Sequence, residues 1–340
     1  MYSPQRMKFL LFPLSSAYKA GSQIKNFLYD RGLLNPKKAP LPVISVGNIT
    51  FGGSEKTPLV MKLISFFLEK GIKPALVTRG YRGKWERKGG ILSDGKNLYG
   101  TWKEGGDEPF MVAQNFPWSG VFIGKHRLAS CRKAKDSAFD AAILDDGFQH
   151  RRLFRDLDIV LLDPSEKTAL REPPSALKRA HVILVKRESG LKKKEMLSER
   201  FPQAEIFRYS IKNKGFFRLS DQEEEPLQGL KGKRLLAVCG IARPERFSVL
   251  LEDVGLKPRF FLRFPDHHAY PESTLRRIIK KHQELHTEAI LTTEKDAVKL
   301  HGLEGRDGIP VYFNRIEVET EEGFDRRISD FMSTSCHGKK

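Results

Sequence analysis

Val43-Ile-Ser-Val-Gly47-Asn-Ile-Thr-Phe-Gly-Gly-Ser-Glu-Lys-Thr-Pro58 is the stretch whose reading decides the fold. A short apolar run, Pro42 to Val46, gives way to a glycine-bearing turn. Pro58 then opens a segment that is apolar nearly all round as far as Glu69, with Leu59, Val60, Met61, Leu63, Ile64, Phe66, Phe67 and Leu68. A helix of that composition has to be buried. Strand, tight loop and buried helix in this order make a phosphate cradle, because backbone N–H groups and a helix N-terminus converge on one point. The cradle residues are Thr50, Phe51, Gly52, Gly53, Ser54, Glu55, Lys56 and Thr57. Lys56 is placed to reach the β- and γ-phosphates, and the Thr57 hydroxyl to hold a divalent cation. The pattern G-x-x-x-x-G-K-[ST] is nevertheless broken twice, by Thr50 at the first glycine and Glu55 at the second. Glu55 is the graver change, since a carboxylate beside a triphosphate is repelled and a side chain restricts the backbone there. Alone, the loop reads either as a phosphate site or as a plain glycine-bearing turn.

Working outward, the chain alternates between apolar strands and helical segments. Pro74 to Thr78, Gly120 to Gly124, Ala141 to Leu144, Asp158 to Leu162 and His181 to Val185 are continuous apolar runs. Such strands indicate a parallel sheet covered on both faces. Ala141-Ala-Ile-Leu144 delivers Asp145 and Asp146 to its C-terminal end, where the metal-binding acid of phosphoryl-transfer enzymes stands. The competing reading of those acids is a helix cap. Loop and acid pair occur at strand ends in the expected order, and each strengthens the other. Between roughly residues 208 and 233 the pattern changes to a short β-ribbon, and from Arg234 a second, smaller α/β unit begins.

Composition narrows the partners. The chain has 340 residues, 39% hydrophobic and 30% charged, as in a folded globular protein with room for two domains. Sixty Lys and Arg against 42 Asp and Glu leave a net charge of +18, which calls for an acidic partner: nucleic acid, an anionic membrane or phosphorylated molecules. No interleaved aromatic and basic motif, zinc spacing or recognition-helix signature supports nucleic acid. Cys131, Cys239 and Cys336 lie far apart, giving neither a disulfide framework nor a metal set, which suits a reducing compartment. No uncharged apolar stretch is long enough to span a bilayer. Residues 6–34 place Leu14, Ala17, Tyr18, Gly21, Ile24 and Leu28 on one stripe, with Lys19, Lys25 and Arg31 off it. That pattern fits a helix docked on the domain or one lying in a headgroup layer.

Several motifs together resemble the tetraacyldisaccharide 4′-kinases, the lipid A kinases of Gram-negative bacteria. They are Asn48 to Pro58, Thr78-Arg-Gly-Tyr-Arg-Gly83, Gly106-Asp-Glu-Pro109, Asp145-Asp-Gly-Phe-Gln-His150, Leu170-Arg-Glu-Pro173, Phe264-Pro-Asp-His267 and Thr293-Glu-Lys-Asp-Ala-Val298. The resemblance implies an α/β fold: a P-loop NTPase-type parallel sheet domain, a second, smaller α/β domain and an N-terminal amphipathic helix. The expected division is 1–38 for the membrane-interface helix, 39–207 for the P-loop domain, 208–233 for the ribbon linker and 234–335 for the smaller domain. The implied activity is transfer of the γ-phosphoryl group of ATP to the 4′-hydroxyl of a tetraacylated glucosamine disaccharide 1-phosphate. It would take place at the cytoplasmic face of the inner membrane, against an anionic lipid surface.

Residue roles follow from the same motifs. Asp107 matches the family's catalytic aspartate and His267 its dyad partner. Magnesium is expected on Thr57, Asp145 or Asp146, and Glu172. Arg79, Tyr81, Arg127 and Arg171 are candidates for the acceptor's phosphate and sugar, since guanidinium forks suit phosphate. Gln149 and His150 line the nucleotide or the acceptor, and residues 293–298 shape the cleft. Glu55 departs from the family's usual glycine, and Arg243 from an expected asparagine. The alternatives are a P-loop kinase for a soluble acceptor and a lipid-binding relative whose nucleotide site Glu55 has degraded.

Overall fold

The computed structural model describes residues 24, 26–51, 55–164, 169–303 and 308–335. Most of the expected N-terminal amphipathic helix, and Gly52, Gly53 and Ser54 of the loop, lie outside the described residues. The strands are β1 (Val43–Asn48), β2 (Pro74–Thr78), β3 (Gly90–Asp94), β4 (Gly120–Ile123), β5 (Ala141–Asp145), β6 (Leu157–Leu162), β7 (Val182–Lys186), β8 (Glu205–Arg218), β9 (Glu224–Glu225), β10 (Leu235–Cys239), β11 (Phe260–Arg263), β12 (Ala289–Thr293) and β13 (Val311–Thr320). The helices that matter are α1 (Lys56–Glu69), α2 (Asp107–Asn115), α3 (Arg127–Asp136), α4 (Leu191–Arg200), α5 (Pro244–Asp253), α6 (Glu272–Glu284), α7 (Glu294–Ala297) and α8 (Glu322–Ser335).

Period-two alternation of strand side chains explains the layers. Ile44 and Val46 of β1, with Ala141 and Ile143 of β5, enter the core under α1, where Leu59, Leu63 and Phe67 are buried. Their neighbours Val43, Ala142 and Leu144 point the other way and pack with Cys131 and Ala134 of α3. Both faces of these strands are apolar because both are covered. The smaller unit repeats the scheme: Leu236 and Val238 face one side of β10, Leu235 and Ala237 the other.

One sheet runs through both units, in the order β11-β10-β12-β13-β8-β7-β6-β1-β5-β2-β4-β3, with β9 beside β8. The strand that joins its two parts is β8, 14 residues long, parallel to β7 and antiparallel to β13. The ribbon expected over 208–233 therefore takes its main second strand from residues 311–320, a pairing between segments about a hundred positions apart. The chain then crosses back. Although α8 lies within the span expected for the smaller unit, Phe324, Ile328, Phe331 and Met332 are buried with α1 in the larger core. Phe324 is fully buried there. Phe324→Ala should destabilise the larger unit by about 3–5 kcal/mol, the usual cost of deleting a buried ring. Urea unfolding followed by circular dichroism will measure it, and a loss below about 1 kcal/mol would contradict this packing.

Candidate active site

The nucleotide side of the cleft begins at the tip of β1. Asn48 Nδ2 donates to both the hydroxyl and the carbonyl of Thr50 at 2.9 Å, and its Oδ1 accepts from Lys56 Nζ at 3.3 Å. The neighbouring strand β5 ends in register, Val46 opposite Asp145, so the acids arrive beside the loop. Lys56 Nζ lies 3.2 Å from Asp146 Oδ1. Gly47 allows this closeness, because a Cβ there would come within 2.5 Å of the Phe148 Cβ. Asp146 has φ 54°, in the left-handed region, and its two oxygens accept from Arg171 Nη1 at 2.7 and 2.8 Å. Burial opposes ionisation of Asp146, but Lys56 and Arg171 outweigh it and bring the carboxyl down to about 2.

Asp145 is in the opposite situation. Burial, reinforced by the nearby carboxylates of Glu108 and Asp146, pushes it up to about 6 against the pull of Lys56 and Arg127. One oxygen accepts from the Thr78 hydroxyl at 3.3 Å, and the other is buried with no hydrogen-bond partner among the described residues. Thr57 Oγ1, on the second residue of α1, donates to Glu108 Oε2 at 2.9 Å. A buried, unpartnered carboxylate oxygen, a hydroxyl and a second acid form a hard-oxygen donor set that suits magnesium.

Facing these residues is the start of α2. The turn Gly80 to Gly83 presses onto Gly105 and Gly106, so closely that a Cβ on Gly83 would meet the Glu104 carbonyl at 2.5 Å. That contact fixes Asp107 at the first position of the helix. His267 Nδ1 stands 2.9 Å from Asp107 Oδ2 and 3.0 Å from Oδ1. Lys299, 1% exposed, donates to Asp107 Oδ2 at 3.1 Å and is 3.1 Å from Asp296 Oδ1. Lys295 is 2.7 Å from Glu108 and 3.4 Å from His267 Nε2. His267 thus turns Nδ1 to the Asp107 carboxylate, and its Nε2 lies between the Lys295 ammonium and Asp266 Oδ2, 3.6 Å away. Burial of Asp107 favours its neutral form, but the His267 hydrogen bond and the two lysines overcome it and hold the carboxyl well below the usual range. His267 has φ 58°, the kind of backbone strain that accumulates at functional sites.

Between the two sides lies a cleft of about 2060 Å³ lined by Lys56, Asp145, Asp107 and His267, with Leu128, Met61 and Leu250 among its apolar walls. Pockets for a single drug-sized ligand measure roughly 300–1,000 Å³, so there is space for a nucleotide and a second, greasier molecule.

The model of the family described as tetraacyldisaccharide-1-P 4′-kinase (LpxK) matches residues 7–333. The tetraacyldisaccharide 4′-kinase of Syntrophus aciditrophicus is 37% identical, over 95% of this chain and 92% of its own. That of Desulfotalea psychrophila is 35% identical, over 93% and 94%. The crystal structure of the "apo" form of LpxK from Aquifex aeolicus in complex with ATP superposes with a TM-score of 0.75 at 31% identity, covering 97% of this chain and 99% of that one. The chain belongs to the tetraacyldisaccharide-1-phosphate 4′-kinase family.

In this member of the family, most residues singled out by sequence line the cleft: Phe51, Lys56, Thr57, Arg79, Tyr81, Asp107, Arg127, Asp145, Asp146, Gln149, His150, Arg171 and His267. Arg79 pairs with Glu86 at 2.6 Å, and Tyr81 meets His267 edge-on at 5.3 Å between ring centres. Arg127 is buried, donating to the Gly124 carbonyl at 2.7 Å, and Gln149 donates to the Asn48 carbonyl at 2.7 Å. Three expectations change. Glu172 is buried against Arg179 and is absent from the cleft wall, so its carboxylate is occupied by that guanidinium instead of facing the cation donors. Thr50 is buried and turned to Asn48, shaping the loop from behind. Glu55 does not point at the cradle as a bare repelling charge: Arg246 and Lys186 hold its carboxylate at 2.7 and 3.1 Å.

The sequence reading gave no role to Glu108 or Lys299, and to Lys295 only a share in shaping the hinge or cleft. The signal was present in the i, i+4 spacing of Lys295 and Lys299 and in the acid next to Asp107. What it lacked was the contact between α2 and α7, which joins residues about 190 positions apart.

Proposed function

We propose that this chain transfers the γ-phosphoryl group of ATP to the 4′-hydroxyl of a tetraacylated glucosamine disaccharide 1-phosphate. Family membership supports the activity. The observation that carries the chemistry is the pairing of two constellations across one cleft: Lys56 with Asp146 at 3.2 Å, and Asp107 with His267 at 2.9 Å. Lys56 and the start of α1 grip the triphosphate, with the positive end of the helix adding to the ammonium. Asp107 receives the proton of the 4′-hydroxyl as the new P–O bond forms and the bond to ADP breaks. Held low by its neighbours, Asp107 is a weak base. A loose transition state asks for placement of the hydroxyl more than for basicity, so rigid positioning is the larger contribution. His267, through Nδ1, and Lys299 fix the two oxygens of that carboxylate. Arg127, Arg171 and Arg79 line the same cleft and offer guanidinium donors for acceptor phosphate and sugar.

Thr57 and Asp145 would hold magnesium, with Glu108, bonded to Thr57 and Lys295, beside them, and the ion would supply positive charge to the transferring phosphate. Of the two strand-end acids, Asp145 keeps a buried oxygen with no partner among the described residues, whereas both oxygens of Asp146 accept from Arg171, and this favours Asp145 as the direct ligand. No described helix is long and apolar enough to cross a membrane. With a net charge of +18 and the basic amphipathic stripe over residues 6–34, we place the enzyme peripherally on the anionic, cytoplasmic face of the inner membrane.

The test is to incubate the purified chain with radiolabelled ATP, magnesium and the tetraacylated disaccharide in detergent. Labelled lipid should form, and chelation with excess EDTA should suppress it by at least about a hundredfold, restored by added magnesium. Label found only in inorganic phosphate, or transfer indifferent to EDTA, would refute this reading.

A further inference from the structure

Glu55 sits one residue ahead of Lys56 with φ 57°, and its side chain is 11% exposed. It lines the cleft beside Lys56 and meets a cluster of charges there. Oε1 accepts from Arg246 Nη1 at 2.7 Å and from Lys186 Nζ at 3.1 Å, while Oε2 accepts from the Tyr209 hydroxyl at 3.3 Å. Asp163 Oδ2 closes the ring, 3.1 Å from Arg246 Nη2 and 3.4 Å from Lys186 Nζ. Two acids and two bases of the described residues thus meet here. Glu55, Asp163 and Lys186 belong to the larger unit, at the ends of strands β6 and β7 and the head of α1. Arg246 comes from α5 of the smaller unit.

This origin matters because of what the loop must accept. Like charges a few ångströms apart in a half-buried site repel strongly enough to weaken binding about tenfold or more. A lone carboxylate beside Lys56 would oppose each phosphate that Lys56 attracts. Lys186 is shared between Glu55 and Asp163, and Arg246 brings a second cation to the same two carboxylates.

We propose that Arg246 is the charge compensator of Glu55, so that the nucleotide loop binds ATP tightly only while helix α5 of the smaller unit is docked on it. Arg246 is then a positioning residue for nucleotide affinity, and Glu55 links the loop to the seating of the smaller unit. The proposal rests on ATP being the loop's ligand, as proposed above.

A double-mutant cycle tests it. ATP with magnesium, without lipid acceptor, is titrated calorimetrically into the full chain, Arg246→Gln, Glu55→Gly and the double variant. Arg246→Gln should weaken ATP binding about tenfold while Glu55 is present, and by less than about twofold in the Glu55→Gly background. Arg246→Lys keeps the charge but loses the fork between Glu55 and Asp163, and it should weaken binding less than Arg246→Gln does. Thermal melts establish that each variant is folded, and Arg246→Met repeats the cycle should the glutamine variant not fold. An equal loss in both backgrounds, or none in either, overturns the pairing alone. Failure of the unmutated chain to bind ATP would overturn the ATP reading itself and the pairing with it.

Discussion

Asp107→Ala is expected to lower the turnover number by roughly 10²–10⁴-fold, with the KM for ATP within a few-fold of its original value. The size follows from what the side chain holds. Its carboxylate is buried, receives His267 Nδ1 at 2.9 Å and Lys299 at 3.1 Å, and no other described acid shares both partners. Alanine removes the proton acceptor and leaves Lys299, 1% exposed, facing Asp296 alone. The split between kcat and KM separates chemistry from collapse: a merely structural acid would lower stability and both constants together. Asp107→Asn keeps the shape and removes the charge, and it should be nearly as slow. Turnover of either variant within about tenfold of the unmutated enzyme would mean that another group receives the proton.

Lys56→Ala is expected to reduce kcat/KM for ATP by roughly 10²–10³-fold, the cost of deleting one preorganised charged donor from a phosphoryl-transfer site. Lys56 is tied to two strand tips at once, Asn48 at 3.3 Å and Asp146 at 3.2 Å, so the ammonium is aimed before any ligand arrives. Its loss also leaves Asp146 more negative beside the cradle, partnered mainly by Arg171, which adds repulsion to the missing attraction. Lys56→Arg should recover little, since the longer planar fork does not fit a site built for a compact charge. Steady-state kinetics over a range of ATP concentrations reads both effects. An unchanged KM for ATP in Lys56→Ala, with only kcat reduced, would show that the lysine acts solely in the transition state.

Much of the site was legible because its residues are local to strand ends. A glycine-bearing loop between an apolar strand and a buried helix, and an acid pair ending another apolar strand, carry their meaning within about ten residues. Adjacent parallel strands then bring them together at their C-terminal ends, as Val46 opposite Asp145 shows. Glu172 misled because a carboxylate in a motif looks the same whether it faces a cation or an arginine. Only the approach of Arg179 distinguishes the two. Lys299 was invisible for a related reason: a lysine at a helix end reads as a solvated charge until Asp107 and Asp296 are seen to enclose it.

By itself the sequence determined the class of fold, the covered parallel strands, the phosphate cradle and the family, because each depends on residue type at short spacing. Tertiary structure alone decided how the charges are shared out. It set Arg246 against Glu55, joined two units through the pairing of β8 with β13, and returned α8 to the larger core. The physical reason is that an ion pair or a strand pairing is chosen by distance in space, and spacing along a chain carries no record of which distant segment will arrive.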